Sequence, residues 1–192
     1  GTLDPLATGL LPVCFGEATK FSGELLESDK RYVATIQLGT TTNTADAEGV
    51  ALLHRPINCN RGDVEDALTH FLGRIEQIPP MHSALKRDGK PLYEYARAGI
   101  DVERPPRPVI IHELHVLSWE RERFVVEVTC SKGTYVRTLA ADIGERLGCG
   151  AHLAALRRTG IGSLDVESAY SLARLEVLPP EKLDTLLRPT DS

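Results

Sequence analysis

Three short stretches of the sequence contain residue types that could take part in chemistry. The first is GTLDPLATG, where Asp4 precedes a proline and the next charged residue is Glu17. The second is KGTYVRT, which contains Tyr135 and Arg137, and the third is ALRRTGIG, in which Leu156 precedes two arginines. Each also has an ordinary structural interpretation, since Asp before Pro is a common turn residue or cap and tyrosine or leucine often packs in a core. Spacing alone leaves both interpretations open.

Other common catalytic and metal-binding patterns are absent from the sequence. The cysteines are widely spaced and form no C-x-x-C pair, so they are expected to be buried free thiols in a reducing cytoplasm; they are Cys14, Cys59, Cys130 and Cys149. His112 and His115 are three apart in a predicted strand and therefore lie on opposite faces. The glycines form neither a dinucleotide fingerprint nor a Walker motif. The sequence therefore predicts no metal site.

Length and composition favour one globular domain over residues 1–192. The chain is 42% hydrophobic and 26% charged, which is ordinary for a soluble protein. No apolar run approaches the roughly 20 residues that a bilayer span needs, and the opening lacks the basic segment of a signal peptide. The formal net charge of −5 argues against general affinity for nucleic acid, although binding depends on local charge.

The region 81–108 differs in charge from the rest of the chain. It contains six basic and four acidic residues, so it is net positive within an acidic protein. Pro91 and Gly99 bracket LYEYARA, which predicts a short helix. Because prolines flank the region, we expect an insertion at about 80–108 that projects from the core, as a binding surface or as an ordinary solvated loop.

The remaining sequence predicts strands and helices that must position these residues. Strands are predicted at RYVATIQL (31–38), RIEQIPP (74–80), VIIHELHVLSW (109–119) and RFVVEVTCS (123–131), with RER as a hairpin turn. Helices are predicted at 63–72 with Asp63 as the cap, at 134–148 ending at Gly148, and around 171–178. TTNTADAEGV (41–50) is a predicted loop, and the pattern of 151–162 assigns it to neither class. Without a regular βαβ order, the fold class is α+β with a largely antiparallel sheet.

Four stretches, in order along the chain, resemble the bacterial TruB-type tRNA pseudouridine synthases. GTLDPLATGLLPVCFGEATKF (1–21) resembles the nucleophile motif of that family, and DKRYVATIQLGTTTNTADAEG (29–49) its second motif. PPMHSALKRDGKPLYEYARAGIDVERPPR (79–107) resembles its thumb segment, and SKGTYVRTLAADIGERLGCGAHLAALRRTGIG (131–162) its third motif. The resemblance implies a pseudouridine synthase fold, with a mixed, mostly antiparallel sheet flanked by helices and a thumb-like insertion that binds RNA.

The resemblance also implies roles for six residues. Asp4 matches the catalytic nucleophile, and Arg137 matches the arginine paired with it. The other four match substrate-binding positions: Tyr32 stacks on the target base, Tyr135 is a second pocket tyrosine, Leu156 is an apolar wall, and Asp46 joins the charge network around Arg137.

The implied reaction is the isomerisation of uridine to pseudouridine at position 55 in the T arm of tRNA. A carboxylate can assist by adding to C1′ of the sugar or to C6 of the base, and the sequence leaves both routes open. The target base must leave its stack, and the insertion is expected to contact the folded T arm through its shape and phosphates. The resemblance implies tRNA as partner, no cofactor, no metal and no membrane, and we expect a monomer in the cytoplasm.

The sequence departs from the family at its two ends. The family has a further strand and a His-containing segment upstream, so we expect an N-terminally truncated chain that is less stable and less active than an intact one. The usual C-terminal RNA-binding PUA domain is not evident. The alternatives are a non-catalytic RNA-binding or RNA-refolding module and a guide-RNA-dependent relative.

Overall fold

The computed structural model of the protein describes residues 2–188 and is organised around one large sheet. The strands are β1 (Ala7–Gly9), β2 (Lys30–Leu38), β3 (Thr40–Thr42), β4 (Ala51–His54), β5 (Gly73–Gln77), β6 (Lys86–Arg87), β7 (Lys90–Pro91), β8 (Arg107–Glu120), β9 (Arg123–Cys130), β10 (Ala151–Ile161) and β11 (Leu164–Asp165). The large sheet has the order β1–β10–β2–β9–β8–β5, and β11 also pairs with β10. Only β1 and β10 run parallel in it; its other pairs are antiparallel. The predicted α+β class with a mixed, mostly antiparallel sheet is confirmed.

Six α-helices accompany the sheet in the described part of the chain. They are α1 (Ser22–Glu27), α2 (Arg61–Thr69), α3 (Leu92–Arg97), α4 (Val136–Arg146), α5 (Leu172–Glu176) and α6 (Pro180–Leu183). The core lies between the sheet and the apolar faces of α2 and α4. On α4 the apolar positions recur at helical spacing, so Val136, Leu139, Ala140 and Ile143 are all buried. No helix within residues 2–188 has the length and hydrophobicity to cross a membrane.

The start of α2 differs from the sequence prediction. The helix spans Arg61–Thr69, and its N-cap is Asn60 rather than Asp63. The Asn60 side chain accepts from the backbone N–H of Gly62 and Asp63, while the Asp63 carboxylate accepts from the Asn60 N–H at 2.8 Å. Asp63 is therefore the reciprocal member of a capping box, three residues inside the helix.

Strands β2, β8 and β9 confirm three predicted strands, and two residues form the turn between β8 and β9. The prediction for 151–162 was incomplete, because this segment is β10, whose neighbours in the large sheet are β1 and β2. Its apolar residues are interrupted by His152 and by the adjacent Arg157 and Arg158, and Arg158 is only 2% exposed. The predicted loop at 41–50 overlaps β3, which pairs with β4 in a small separate hairpin.

The net positive segment leaves the sheet between β5 and β8. Its strands β6 and β7 are two residues long, and α3 has one buried residue, Leu92. Arg107 and Pro108 already belong to β8, and Arg107 pairs with Gln77 at the end of β5. Residues 78–106, called the insertion below, therefore begin and end at one point on the sheet.

The four cysteines are free thiols. Cys130 and Cys149 are buried as predicted, whereas Cys14 and Cys59 are only half-buried. Burial raises the pKa of the Cys130 thiol to about 11, so this cysteine is an uncharged core residue.

Candidate active site

All six residues singled out from the sequence line one cleft of about 570 Å³. They come from five separate segments: the β1 approach, β2, the loop after β3, the start of α4, and β10. The cleft is also lined by residues of the insertion, namely His82, Ser83, Ala84, Tyr93 and Arg97. The structure thus brings the predicted residues together and adds a wall that the sequence did not indicate.

The loop that carries Asp4 is held against β10. The Ala7 N–H donates to the Asp4 carbonyl at 2.8 Å, which closes a turn, and β1 then pairs in parallel with β10. Gly9 has φ +100, and a Cβ there would lie 2.2 Å from the Arg158 carbonyl oxygen. Only glycine allows this close approach of the two backbones, and the approach sets where Asp4 emerges beside the cleft.

Asp4 forms an ion pair with Arg137. Its Oδ2 lies 2.9 Å from the Arg137 Nε, and the Asp4 side chain is 39% exposed while that of Arg137 is 5% exposed. The contact has the distance of an ion pair without the alignment of a hydrogen bond. Catalytic contacts are often loosely aligned before substrate binds. The carboxylate is therefore held by charge while one side of it faces the open cleft.

The Arg137 guanidinium is the point where three other segments meet. Its Nη1 lies 3.5 Å from the Asp46 carboxylate, and it donates to the carbonyls of Thr44 at 3.5 Å and His82 at 2.9 Å. A buried arginine is costly unless its charge and its N–H groups have partners. These contacts supply partners for the charge and for the Nη1 and Nη2 groups, while the Nε has only its ion-pair contact with Asp4.

Asp46 is itself fixed by local hydrogen bonds. It is 3% exposed, and its Oδ1 accepts from the Thr44 hydroxyl at 2.5 Å and from the Glu48 N–H at 3.1 Å. Its loop pairs with Leu153 of β10 through two backbone hydrogen bonds. The Leu153 N–H donates to the Ala45 carbonyl, and the Ala47 N–H donates to the Leu153 carbonyl. Ala45 adopts φ 61 to turn the chain there. Asp46 is therefore held in a fixed position at the edge of the cleft, where its Oδ2 lies 3.5 Å from the Arg137 Nη1.

The two tyrosines and the leucine form an aromatic and apolar lining. Tyr32 lies on β2, and Leu156 lies on β10 opposite Ala34 of the same pair of strands. Burial raises the pKa of Tyr32, and the neighbouring Arg158 side chain opposes that shift as a hydrogen-bond partner. Tyr32 is therefore a neutral phenol at physiological pH, with a ring suited to stacking on a base.

Gln77 is a residue of the site that the sequence reasoning missed. It is 2% exposed, and its side-chain amide bonds both backbone groups of Tyr135. A weak signal was present, since strand alternation puts Gln77 on the same face as Ile75 and so aims a polar side chain inward. The cleft residues of the insertion had no comparable signal, because their approach to Arg137 depends on how a long connection folds back.

The described residues contain no group of three or more His, Cys, Asp or Glu side chains arranged to hold a metal ion. The ionisable and aromatic side chains that line the cleft are three carboxylates, two arginines, three tyrosines and one histidine, namely Asp4, Asp46, Glu48, Arg97, Arg137, Tyr32, Tyr93, Tyr135 and His82.

Comparison with protein families finds two matches that together cover the chain. Residues 1–136 match the TruB family pseudouridylate synthase N-terminal domain, and residues 137–192 match the tRNA pseudouridylate synthase B C-terminal domain. Among solved structures, "Crystal Structure of a Cbf5-Nop10-Gar1 Complex" contains a similar chain, with a TM-score of 0.74 and 27% identity over 100% of this chain and 50% of that one. "Structure of H/ACA RNP bound to a substrate RNA containing 2'-deoxyuridine" contains another, with a TM-score of 0.68 and 25% identity over 99% of this chain and 46% of that one.

Curated relatives are more similar in sequence. The tRNA pseudouridine synthase B of Cupriavidus pinatubonensis is 55% identical over 100% of this chain and 62% of its own length. The tRNA pseudouridine synthase B of Burkholderia lata is 60% identical over 100% of this chain and 60% of its own length. The chain thus spans about three fifths of the length of these relatives. With a family match over residues 1–136 and relatives aligned over its entire length, the chain belongs to the TruB family of pseudouridylate synthases.

Proposed function

We propose that the protein converts uridine to pseudouridine at position 55, in the T arm of tRNA, with Asp4 as the nucleophile. The observation that carries this proposal is the contact between a partly exposed Asp4 and a buried Arg137 in a cleft lined by aromatic rings. An isomerisation of this kind needs a carboxylate held at a fixed point and a dry surface for the base. It needs neither a redox group nor an added reactant.

Asp4 acts by covalent addition. The glycosidic bond between C1′ and N1 breaks, the base turns, and a new bond forms between C1′ and C5, after which C5 loses its proton to water and N1 gains a proton from water. The Asp4 carboxylate assists by bonding to C1′ or to C6 and is released at the end of the cycle. Arg137 keeps the carboxylate at the mouth of the cleft, since it is itself held by Asp46 and by the carbonyls of Thr44 and His82.

The lining of the cleft holds the flipped base. Taking a base out of its stack costs a few kcal/mol, and stacking on an aromatic side chain returns about 1–3 kcal/mol per base. Tyr32 supplies that ring, Tyr135 supplies a second ring at the start of α4, and Leu156 closes the apolar side. A pocket of this kind stabilises the extruded uridine without reading the rest of the sequence.

The net positive insertion supports RNA as the partner. It carries exposed Lys86, Arg87 and Lys90 on the β6–β7 hairpin, beside the cleft that its root helps to line. Within an acidic protein, such a face gives local attraction for phosphates. The names of the relatives support tRNA rather than a guided substrate. The curated tRNA pseudouridine synthase B proteins are 55–60% identical to this chain, whereas the similar chains in the Cbf5-Nop10-Gar1 complex and in the H/ACA RNP are 27% and 25% identical.

The test is tritium release from a T-arm stem-loop that carries 5-tritiated uridine. We expect release by the unsubstituted protein and none by Asp4→Asn, which keeps the size of the side chain but removes the nucleophilic oxygen. Asp66→Asn, an exposed aspartate on α2, is the matched control and should leave the rate unchanged. Binding of the stem-loop, measured by fluorescence anisotropy, should persist in both variants. Tritium release by Asp4→Asn would remove Asp4 from the chemistry.

The same assay tests the main alternatives. A non-catalytic RNA-binding or RNA-refolding module would bind the stem-loop and release no tritium even without substitution. A guide-dependent relative would release tritium only when a guide RNA is added.

A monomer is part of the proposal, because one chain already supplies the six residues that the sequence predicts for the site. Light scattering at assay concentration tests it. A cytoplasmic location is also proposed, because free thiols suit a reducing compartment that contains tRNA.

A further inference from the structure

Gln77 is an unusual residue for the position it occupies. It ends β5, and among the largest fully buried side chains of the described residues it is the polar one, the others being aliphatic or aromatic. Burial of an amide is costly unless each of its polar atoms has a partner. Apolar side chains fill the equivalent interior positions on β2, β9 and α4, so packing alone does not account for a glutamine here.

Both polar atoms of the Gln77 amide are used on a single residue, Tyr135. The Tyr135 N–H donates to Oε1 at 3.0 Å, and Nε2 donates to the Tyr135 carbonyl at 3.3 Å. Tyr135 is the N-cap of α4 and has an extended backbone, with φ −98 and ψ 107, and its own side chain forms no capping bond. The first N–H groups of a helix lack partners within it. Gln77, on β5, therefore supplies from outside the helix a hydrogen-bond acceptor for the N–H of the N-cap residue of α4.

This double hydrogen bond sets the orientation of the first turn of α4. The Tyr135 carbonyl also accepts from the Leu139 N–H at 3.0 Å. Gln77 is therefore hydrogen-bonded to the residue at which the helix begins. The Tyr135 ring lines the cleft, and Arg137 follows two residues later with its contact to Asp4. A shift or rotation of this turn would move the ring and the guanidinium together.

Gln77 is also at the root of the insertion. It pairs with Arg107 across the base of residues 78–106, and His82, five residues further on, accepts from Arg137 at 2.9 Å. The start of the insertion and the start of α4 are therefore joined twice, once through Gln77 and once through Arg137.

We propose that Gln77 is a positioning residue that holds the first turn of α4, and with it Tyr135 and the Asp4–Arg137 pair, in the geometry required for isomerisation. This proposal rests on the proposed function. Gln77 does not line the cleft and does not touch the substrate, so its effect is on the rate of the chemical step and not on RNA affinity.

Gln77→Met removes both hydrogen bonds while keeping a side chain of similar length. A misplacement of about 1 Å at a site can cost about 100-fold in rate, so we expect the single-turnover rate constant for tritium release to fall about 10- to 100-fold. The dissociation constant for the stem-loop should stay nearly unchanged. Gln37→Met is the control, because the Gln37 side chain on β2 also donates to backbone carbonyls, those of Leu38 and Glu122, but does not line the cleft. Equal rates for Gln77→Met and the unsubstituted protein would overturn the proposal.

Gln77→Glu distinguishes positioning from general loss of stability. A protonated carboxyl has one donor and one acceptor and reproduces the amide pattern, whereas a carboxylate has no donor for the Tyr135 carbonyl. Because burial favours the neutral form, we expect near-normal turnover at low pH and a fall as pH rises, relative to the unsubstituted protein at each pH. Thermal melts at each pH show that both proteins are folded. A parallel pH profile, or a Gln77→Glu protein that is unfolded at every pH, would overturn the proposal.

Amide hydrogen exchange at Tyr135 separates this proposal from the function on which it rests. We expect exchange at Tyr135 to be faster in Gln77→Met than in Gln37→Met, since the substitution removes the acceptor of that N–H. If the unsubstituted protein releases no tritium, the proposed function fails, and the catalytic part of this proposal fails with it. The exchange measurement then still decides whether Gln77 holds the start of α4, and unchanged exchange would overturn that as well.

Discussion

The two walls of the cleft are built in different ways. The sheet wall, formed by β2, β10 and α4, rests on a continuous core in which residues such as Ala34, Ile143 and Leu153 have no exposed surface. The insertion wall has shorter elements, namely strands of two residues and the six-residue helix α3. Leu92 is the one buried residue of that helix. Regions with few buried contacts open more easily than the core of the same protein. Under the proposed function, this difference predicts that the sheet wall holds the reacting groups in place and that the insertion wall adapts to the RNA.

The largest effect is expected at the contact between Arg137 and Asp4, the proposed nucleophile. Arg137→Met removes the cation beside Asp4, and loss of one such electrostatic contact typically lowers turnover by about 10²–10³-fold. Arg146→Met, an exposed arginine in the last turn of the same helix, is the control. Because Asp46 loses its ion pair as well, thermal melts should accompany the tritium-release assay. Unchanged turnover by a folded Arg137→Met protein would remove Arg137 from the mechanism.

Core truncations on the two sides test the difference in packing directly. Ile143→Ala should lower the free energy of unfolding by about 2–5 kcal/mol, the usual range for a buried isoleucine. Leu92→Ala should lower it by less than about 1 kcal/mol, because a locally opening region contributes little to global unfolding. Urea unfolding measures both, and hydrogen exchange in α3 should accelerate in Leu92→Ala. Equal losses would show that the insertion unfolds together with the sheet, and would contradict the difference in stability between the two walls.

Removal of charge from the insertion wall should weaken binding without slowing the chemical step. For Lys86→Gln combined with Lys90→Gln, we expect the slope of log K against log salt for the stem-loop to fall by roughly 2, about one for each phosphate contact. Affinity at low salt should drop about five- to tenfold. Arg121→Gln, an exposed arginine in the turn between β8 and β9, is the control and should leave the slope unchanged. A slower rate at saturating RNA would show that the insertion acts on the chemistry too.

The smallest effect is expected for Asp142 on α4, whose charged form destabilises the folded protein. Burial, and then the neighbouring Glu145, raise the pKa of Asp142 on α4 to about 6. The folded state therefore binds more protons than the unfolded state between the ordinary aspartate pKa and about pH 6, and stability falls as pH rises through that window. Because Asp142 is only half-buried, Asp142→Asn should raise the free energy of unfolding at pH 8 by about 0.5–1 kcal/mol. The gain at pH 5 should be smaller, and equal gains at the two pH values would contradict the assignment.

Local pattern predicted most of the secondary structure. Strands β2, β8 and β9 and helix α4 each have a period that matches one face of the element, and the capping error at α2 moved its start by two residues. Strand β10 was not predicted, because its arginines and its histidine obscure the alternation of polar and apolar residues, although many residues of that strand are buried in the sheet. The buried side chain of Arg158 is stabilised there by hydrogen bonds, among them one from its Nε to the Leu10 carbonyl at 2.9 Å and one with Tyr32.

The sequence by itself identified six residues that line the cleft, because ordered family motifs contain them even though they are far apart in the chain: Asp4, Tyr32, Asp46, Tyr135, Arg137 and Leu156. Their catalytic roles remain predictions. Only the tertiary structure decided that Arg137 joins three other segments, that the insertion forms one wall, and that Gln77 caps α4 from a distant strand. The physical reason is that periodicity reports on which face of an element is buried. The partner of a buried polar group is instead chosen by long-range packing, which leaves no period in the sequence.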